Sequence, residues 1–441
     1  MLALAAVLGI ATVVLLITWL KLHPFLALIL GSAVLGVVAG LGPARTVTSF
    51  TGGVGSTVGS VGLLIALGAM IGGLLADSGG ADAIVDAFLA KVSGRSLPWL
   101  MALVAAVIGL PLFFEVGVVL LVPVILLVAA RSRLPVLLVG IPALAGLSVL
   151  HGLVPPHPGP LVAIDALGAD VGVTLGLGLL VAVPTVLVAG PLFAMVVTRY
   201  VRVGPPPALV PHREGRPAAR RPGSAAALGT VLLPVVLMLA RAVAELLLRA
   251  GHPLRAALDV AGTPVVALLA GVLVGIVALG ARAGLDRRAI GDSLGGSLPP
   301  IAGILLIVAA GGGFKQTLVD AGVGTLIGDL AKGAHLSALL LGWLVAVGIR
   351  VATGSATVAT ITASGLVAPL AAGLGGAQLA LVVLAVGAGS LFFSHVNDAG
   401  FWLVKEYLGL TVGQTLATWS VMETLISVIG LAAVYSIHLL L

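Results

Sequence analysis

The sequence predicts an all-α polytopic membrane protein made of two inverted repeats, each with about five transmembrane helices and one re-entrant hairpin, and with broken helices at the midplane. Three observations predict it. First, 60% of the 441 residues are hydrophobic and only 9% are charged, giving a mean hydropathy of +1.26, which no soluble globular domain approaches. Second, apolar runs follow one another from end to end, and several are interrupted by Pro, Gly, His and charged residues where a continuous helix cannot form. Third, the two halves resemble each other at an offset near 240 residues.

Composition narrows the chemistry. The chain has no cysteine, so disulfides, thiolate metal sites and thiol catalysis are excluded. The net charge of +6 comes from arginines clustered in short loops, a pattern of membrane orientation; no nucleic-acid partner is expected. The 61 glycines suit close helix packing and broken helices.

The first repeat is expected over residues 1–198. Its opening run, Met1–Leu20, has no Lys or Arg ahead of its apolar core and is followed by Lys21; it is read as a retained span, not a signal peptide. The run 97–130 is broken at Gly109-Leu-Pro111 and carries Glu115, which predicts a hairpin that enters and leaves on one side. The run 134–167 is broken by His151-Gly-Leu-Val-Pro-Pro-His-Pro-Gly-Pro160. Residues 199–226 form a linker whose Arg199–Gly223 stretch is rich in Pro and Arg and alone looks water-soluble.

The second repeat, 227–441, has its hairpin at 336–372 and its broken helix at 377–407. Leu336–Ile349 and Ile361–Leu370 are each too short to span, because a bilayer needs roughly 20 apolar residues. Between them lies Arg350-Val-Ala-Thr-Gly-Ser-Ala-Thr-Val-Ala-Thr360. Non-helical backbone survives at membrane depth only where protein or a watery cavity surrounds it. Matches such as Pro24–Gly31 with Pro264–Gly271, and Gly168–Leu175 with Gly409–Leu416, keep the register of the repeat. An odd number of crossings per half then inserts the second half upside down. With the linker in the cytoplasm and both termini outside, Lys21, Lys91, Arg95, Arg131, Arg133, Arg282, Arg287, Arg288 and Lys405 face inward. That satisfies the positive-inside rule for a protein of the cytoplasmic membrane.

The interrupted segments hold the candidate site. Arg350 offers a planar fork to a substrate carboxylate; the alternative is a structural pair with an acid such as Glu115, or capping of helix ends. Thr353, Gly354, Ser355 and Thr357 lie at a turn where helix N-terminal amides favour an anion, or they are small residues for helix packing. Glu115, among Phe113, Phe114 and Val116, is the candidate proton carrier, since burial favours a neutral carboxyl; a permanent pair with Arg350 or Lys315 is the alternative. His151, His157 and His395 could titrate near neutrality or donate to hydroxyls, or cap exposed backbone. Asn397 and Asp398 could bind polyol hydroxyls, a proton or Na⁺, or cap the next half-helix. Lys315 is either a solute ligand or a snorkelling side chain. No metal motif appears, and no cofactor beyond the coupling ion is expected: a proton, with Na⁺ open.

Five long motifs, Gly109-Leu-Pro-Leu-Phe-Phe-Glu-Val-Gly117, His151–Pro160, Gly311-Gly-Gly-Phe-Lys-Gln316, Arg350–Thr357 and Ser394–Tyr407, together resemble the gluconate:proton symporter family, within the inverted-repeat ion transporters. The likeness covers nearly the whole chain except Arg199–Gly223. It implies proton-coupled uptake of gluconate or a similar hydroxylated monocarboxylate, and a homodimer with a moving transport domain. In that picture Arg350 and the hydroxyl-rich tip hold the carboxylate, His151, Asn397 and Asp398 read the polyol, and Glu115 carries the proton. Carriers of D-serine, citrate or dicarboxylates with Na⁺ or H⁺ are the rival expectation; an anion channel and an intramembrane hydrolase using Ser355 or Ser394 are more distant ones.

Overall fold

Prolines and glycines cut an almost uniformly apolar chain into helices of unequal length, and their positions build the site. The computed structural model describes residues 2–89, 94, 96–109, 114–155, 157–203, 221–249, 251–323, 326, 336–371 and 373–440. Most of the linker, the Gly109–Pro111 break beyond Gly109, Phe113, Pro156, Lys91, Arg95 and Lys332 lie outside them. The described residues are helices and short connections. Six helices are long and apolar enough to cross a membrane: Phe114–Ser132, Val136–Leu153, Val171–Val197, Ser224–Arg241, Pro264–Ala283 and Val412–His438. A bent pair at Arg287–Asp320 makes up to seven. The protein is a multi-pass membrane protein.

Both expected breaks exist. Val136–Leu153 ends in extended backbone at Val154, and a ten-residue helix restarts with Pro158 at its first position. Proline suits that position because the first N–H has no helical partner anyway. Gly168 stops this short helix in the left-handed conformation, and Asp170 caps the next by accepting from the Val173 N–H. The second half repeats the device: Gly376–Ser390, an unwound segment, the ten-residue helix Ala399–Leu408, a left-handed Gly409, and a capping box from Thr411.

The two hairpins differ. Ala338–Thr353 and Ala356–Ala371 pack together across a tight turn at Gly354, each too short to cross alone. Gly354 has φ of 69°, and a Cβ there would lie 2.2 Å from the Asn397 carbonyl oxygen, so only glycine lets the turn approach the second break. In the first half, by contrast, the arm Phe114–Ser132 has 19 residues and is long enough to span by itself, and it packs more on Val136–Leu153 than on Leu97–Gly109.

Packing is reciprocal between the halves. Phe114–Ser132 touches the half-helix Ala399–Leu408, while Ala356–Ala371 touches Pro158–Leu167. Leu63–Asp77 packs on Pro264–Gly275, and Pro299–Asp320 packs on Pro24–Val38. At the centre, Val136–Leu153 and Gly376–Ser390 are buried almost all round. They approach until a Cβ on Gly387 would stand 2.3 Å from the Gly152 carbonyl oxygen. The peripheral helices instead expose Leu4, Val7, Leu15, Leu180 and Leu273, an apolar surface fit for lipid.

Candidate functional site

Three helices begin at one place. Phe114–Ser132, Ala356–Ala371 and Ala399–Leu408 start beside a cavity of about 110 Å³ lined by Phe114, Glu115, Gly354, Ser355, Ala356, Thr357, Asp398, Ala399 and Gly400. Helix starts carry unsatisfied N–H groups and the positive end of the helix dipole, so three together favour an anion. The remaining wall is Ser148 and His151, Lys315, Arg350, Leu391, and Trp419 and Glu423 from the last helix. Both halves therefore contribute.

Arg350 sits in the last turn of its helix and is 4% exposed. Its Nη1 donates to the Gly354 carbonyl at 2.7 Å, and its Nη2 donates to Asp398 Oδ2 at 2.5 Å. The Nε has no hydrogen-bond partner among the described residues. Asp398 is a junction: Oδ1 accepts from the Gly400 N–H at 2.9 Å, and Oδ2 also accepts from the Ser394 hydroxyl. Trp419 Nε1 donates to Ser394 at 2.7 Å, and the Ser420 hydroxyl donates to the Ser394 carbonyl. The indole of Trp419 meets the ring of Phe114 at 4.9 Å between centroids. The turn at Gly354, the second break and the last helix are thus one hydrogen-bonded unit.

Of the residues expected from sequence, Arg350, Gly354, Ser355, Thr357, His151, Asp398, Glu115 and Lys315 all line this cavity. The others lie behind it. The Thr353 hydroxyl bonds back to the Ile349 carbonyl at 2.7 Å. His395 Nε2 and Asn397 Nδ2 both reach the Val351 carbonyl, at 2.9 and 2.8 Å. His157 pairs with His151, Nε2 to Nδ1, at 3.0 Å. The acid beside Arg350 is Asp398, whereas Glu115 stands across the cavity on the first half. Among the described residues, no three His, Asp or Glu side chains come together as metal ligands.

Sequence reasoning missed Ser148, Trp419 and above all Glu423. The signal for Glu423 was available: a lone carboxylate within the long apolar helix Val412–His438, where an ionisable group marks function by default. The cavity therefore carries three carboxylates, Glu115, Asp398 and Glu423, against two cations, Arg350 and Lys315.

The whole chain has relatives. The model of the family described as "GntP family permease" matches residues 1–440. The chain is 48% identical over 441 residues to a gluconate permease of Pseudomonas aeruginosa, covering 100% of this chain and 98% of that one. It is 42% identical over 433 residues to the Gnt-II system L-idonate transporter of Escherichia coli, with 98% of each covered. A high-affinity gluconate transporter of the same organism is 42% identical over 429 residues, with 96% of each covered. Among solved structures, the YdaH transporter of Alcanivorax borkumensis aligns over 97% of this chain and 98% of its own, at 19% identity and a TM-score of 0.43.

Proposed function

The chain belongs to the GntP permease family, and from that premise we propose that it carries gluconate, or a closely similar hydroxylated monocarboxylate, into the cell together with protons. One observation carries this reading: three helix starts, Arg350 and Lys315 all line a single cavity shared by the two halves. The relatives named for gluconate and for L-idonate fit it, because both names denote six-carbon acids with one carboxylate and a chain of hydroxyls.

In the mechanism, the carboxylate lies against Arg350, Lys315 and the first-turn amides of Ala356 and Thr357. Ser355, Thr357, Ser148 and His151 receive the hydroxyls, and Trp419 offers a flat apolar face to the carbon chain. Asp398 holds Arg350 in place. His395, Asn397 and Thr353 hold the backbone around Val351 and Ile349 and set the shape of the tip. Glu115 carries the coupling proton. A monoanion entering alone climbs roughly 2.3 kcal/mol per 100 mV of inside-negative potential, and a co-transported proton cancels that cost.

The reciprocal packing of the halves and the recurring ten-residue half-helices support two inverted repeats around this site. We place the protein in the cytoplasmic membrane as a homodimer, with the central linker inside and both termini outside. The test is labelled gluconate uptake into proteoliposomes under an imposed pH gradient, with and without Na⁺. Uptake that follows the pH gradient and is lost in Glu115→Gln, with substrate binding retained, supports the proposal. Dependence on Na⁺ alone, or non-saturating flux of many anions, overturns it.

A further inference from the structure

We propose that Glu423 is a second proton-carrying acid of the transport site, so that each substrate monoanion enters with two protons. The inference rests on the transport reading above and deepens it.

Glu423 is 1% exposed, yet it lines the cavity. Its Oε1 has no hydrogen-bond partner among the described residues, and the Ser148 hydroxyl is a hydrogen-bond partner of the carboxyl. The helices packed on its own, Val136–Leu153, Val171–Val197 and Gly376–Ser390, carry a single titratable side chain, His151, which is hydrogen-bonded to His157. Facing Glu423 across the cavity stand Glu115, Asp398, Arg350 and Lys315. Arg350 directs its two Nη groups at Gly354 and Asp398, and Glu423 has no ion pair among the described residues. It also lies in a helix that continues from Val412, whereas Glu115 lies in the first turn of Phe114–Ser132.

Charge then fixes the number of protons. With the histidines neutral, three carboxylates against two cations give the empty cavity one net negative charge. A bound monoanion makes it two, in a cavity whose carboxylate Glu423 and cation Arg350 are both buried. Uncompensated buried charge is strongly unfavourable. One proton on Glu115 removes half of the excess, and the second place for a proton is the other carboxylate without an ion pair among the described residues. A neutral loaded site follows only when Glu115 and Glu423 are both protonated. Asp398 already accepts from Arg350, Ser394 and Gly400.

The experiment reads stoichiometry on the intact protein. Purified carrier in proteoliposomes is given labelled gluconate, and the limiting accumulation is measured at fixed pH gradient while a K⁺/valinomycin potential is varied. Two protons per monoanion move one net charge, so about 100 mV inside-negative raises accumulation roughly 50-fold; one proton gives no change. Proton uptake on adding gluconate to detergent-solubilised protein, followed with a pH-indicator dye, gives a second reading that needs no turnover. Wild type takes up two protons per substrate bound at a pH where both acids are ionised beforehand, and Glu423→Gln takes up one. Potential-independent accumulation by the wild type, or an unchanged proton count in Glu423→Gln, overturns the proposal. Failure of wild type to accumulate gluconate on any pH gradient is a different result and strikes the transport reading itself.

Discussion

Replacing Asp398 with Asn tests whether the cavity is built around a buried ion pair. Asparagine keeps the size of the side chain and, with its one oxygen in the place of Oδ1, still caps the half-helix through the Gly400 N–H. Its amide nitrogen then stands where Oδ2 accepted from Arg350 and Ser394, so the charge and those two acceptor contacts are lost together. The partners lie 2.5 Å apart with side-chain exposures of 4% and 12%. That places them outside the class of surface pairs, whose removal changes stability by about 0–1 kcal/mol. Removing one member of a buried pair strands the other and costs about 3–5 kcal/mol. At roughly 2 °C per kcal/mol for a large chain, the thermal midpoint falls by about 6–10 °C.

Two further arms separate charge from packing. The double variant Arg350→Gln/Asp398→Asn leaves no stranded cation and recovers most of the loss, so the two changes are strongly non-additive. Gluconate supplies an anion to the stranded arginine, so it raises the midpoint of Asp398→Asn more than that of wild type. Thermal unfolding of the detergent-solubilised protein, with and without gluconate, measures all three. A shift of about 1 °C in Asp398→Asn, with additive behaviour in the double variant, refutes the view that Asp398 is the compensating charge for Arg350.

Gly354→Ala forces a side chain into left-handed backbone and into the Asn397 carbonyl. It costs at least about 1–2 kcal/mol of conformational strain and abolishes uptake while the protein still reaches the membrane. Lys315→Met removes the one cavity cation without an ion pair among the described residues; gluconate KM rises about tenfold or more, and the effect of added salt on KM shrinks, as uptake kinetics at several ionic strengths will show. Asn397→Ala removes the donor to the Val351 carbonyl and not a ligand, so its KM stays within a factor of about two while the maximal rate and thermal midpoint fall, a loss on the order of 1 kcal/mol for one hydrogen bond. A raised KM at constant maximal rate would move Asn397 into the binding surface.

Much of this architecture was legible because the chain marks its own breaks. Pro158, Gly168, Gly354 and Gly409 each stop or start a helix where the sequence placed an interruption, since proline and left-handed glycine act locally and without tertiary help. The Glu115 and Arg350 segments, set as candidates by their interrupted sequence, both line the cavity. What sequence could not supply was direction. Thr353, Ser355 and Thr357 lie within one turn, yet Thr353 points back at Ile349 while the other two face the cavity; helical phase near a left-handed residue decides this, not residue type. The pairing of Arg350 with Asp398 instead of Glu115 likewise depends on how closely the turn at Gly354 meets the second break. Glu423 escaped for a different reason: it lies in the continuous span Val412–His438, three residues beyond a π-helical turn at Leu416–Ser420 that no proline or glycine marks.

The charge count also assigns the voltage-sensitive step. If the loaded site is neutral, moving it across the membrane transfers no net charge, and the potential does not act on that step. On the two-proton proposal the empty site, three carboxylates against Arg350 and Lys315, bears one formal negative charge. Its outward return is then driven by an inside-negative potential, by about 2.3 kcal/mol per 100 mV if the charge crosses the whole field. Exchange of labelled for unlabelled gluconate uses only the loaded step, whereas net uptake requires the empty return. Potential therefore accelerates net uptake and leaves exchange unchanged, and Glu423→Gln, whose empty site is neutral, shows neither response. Exchange that speeds up with potential would mean that the loaded carrier is charged. In that case one of the two acids keeps its charge through the crossing, and the cavity must hold a compensating cation that the protein itself does not provide.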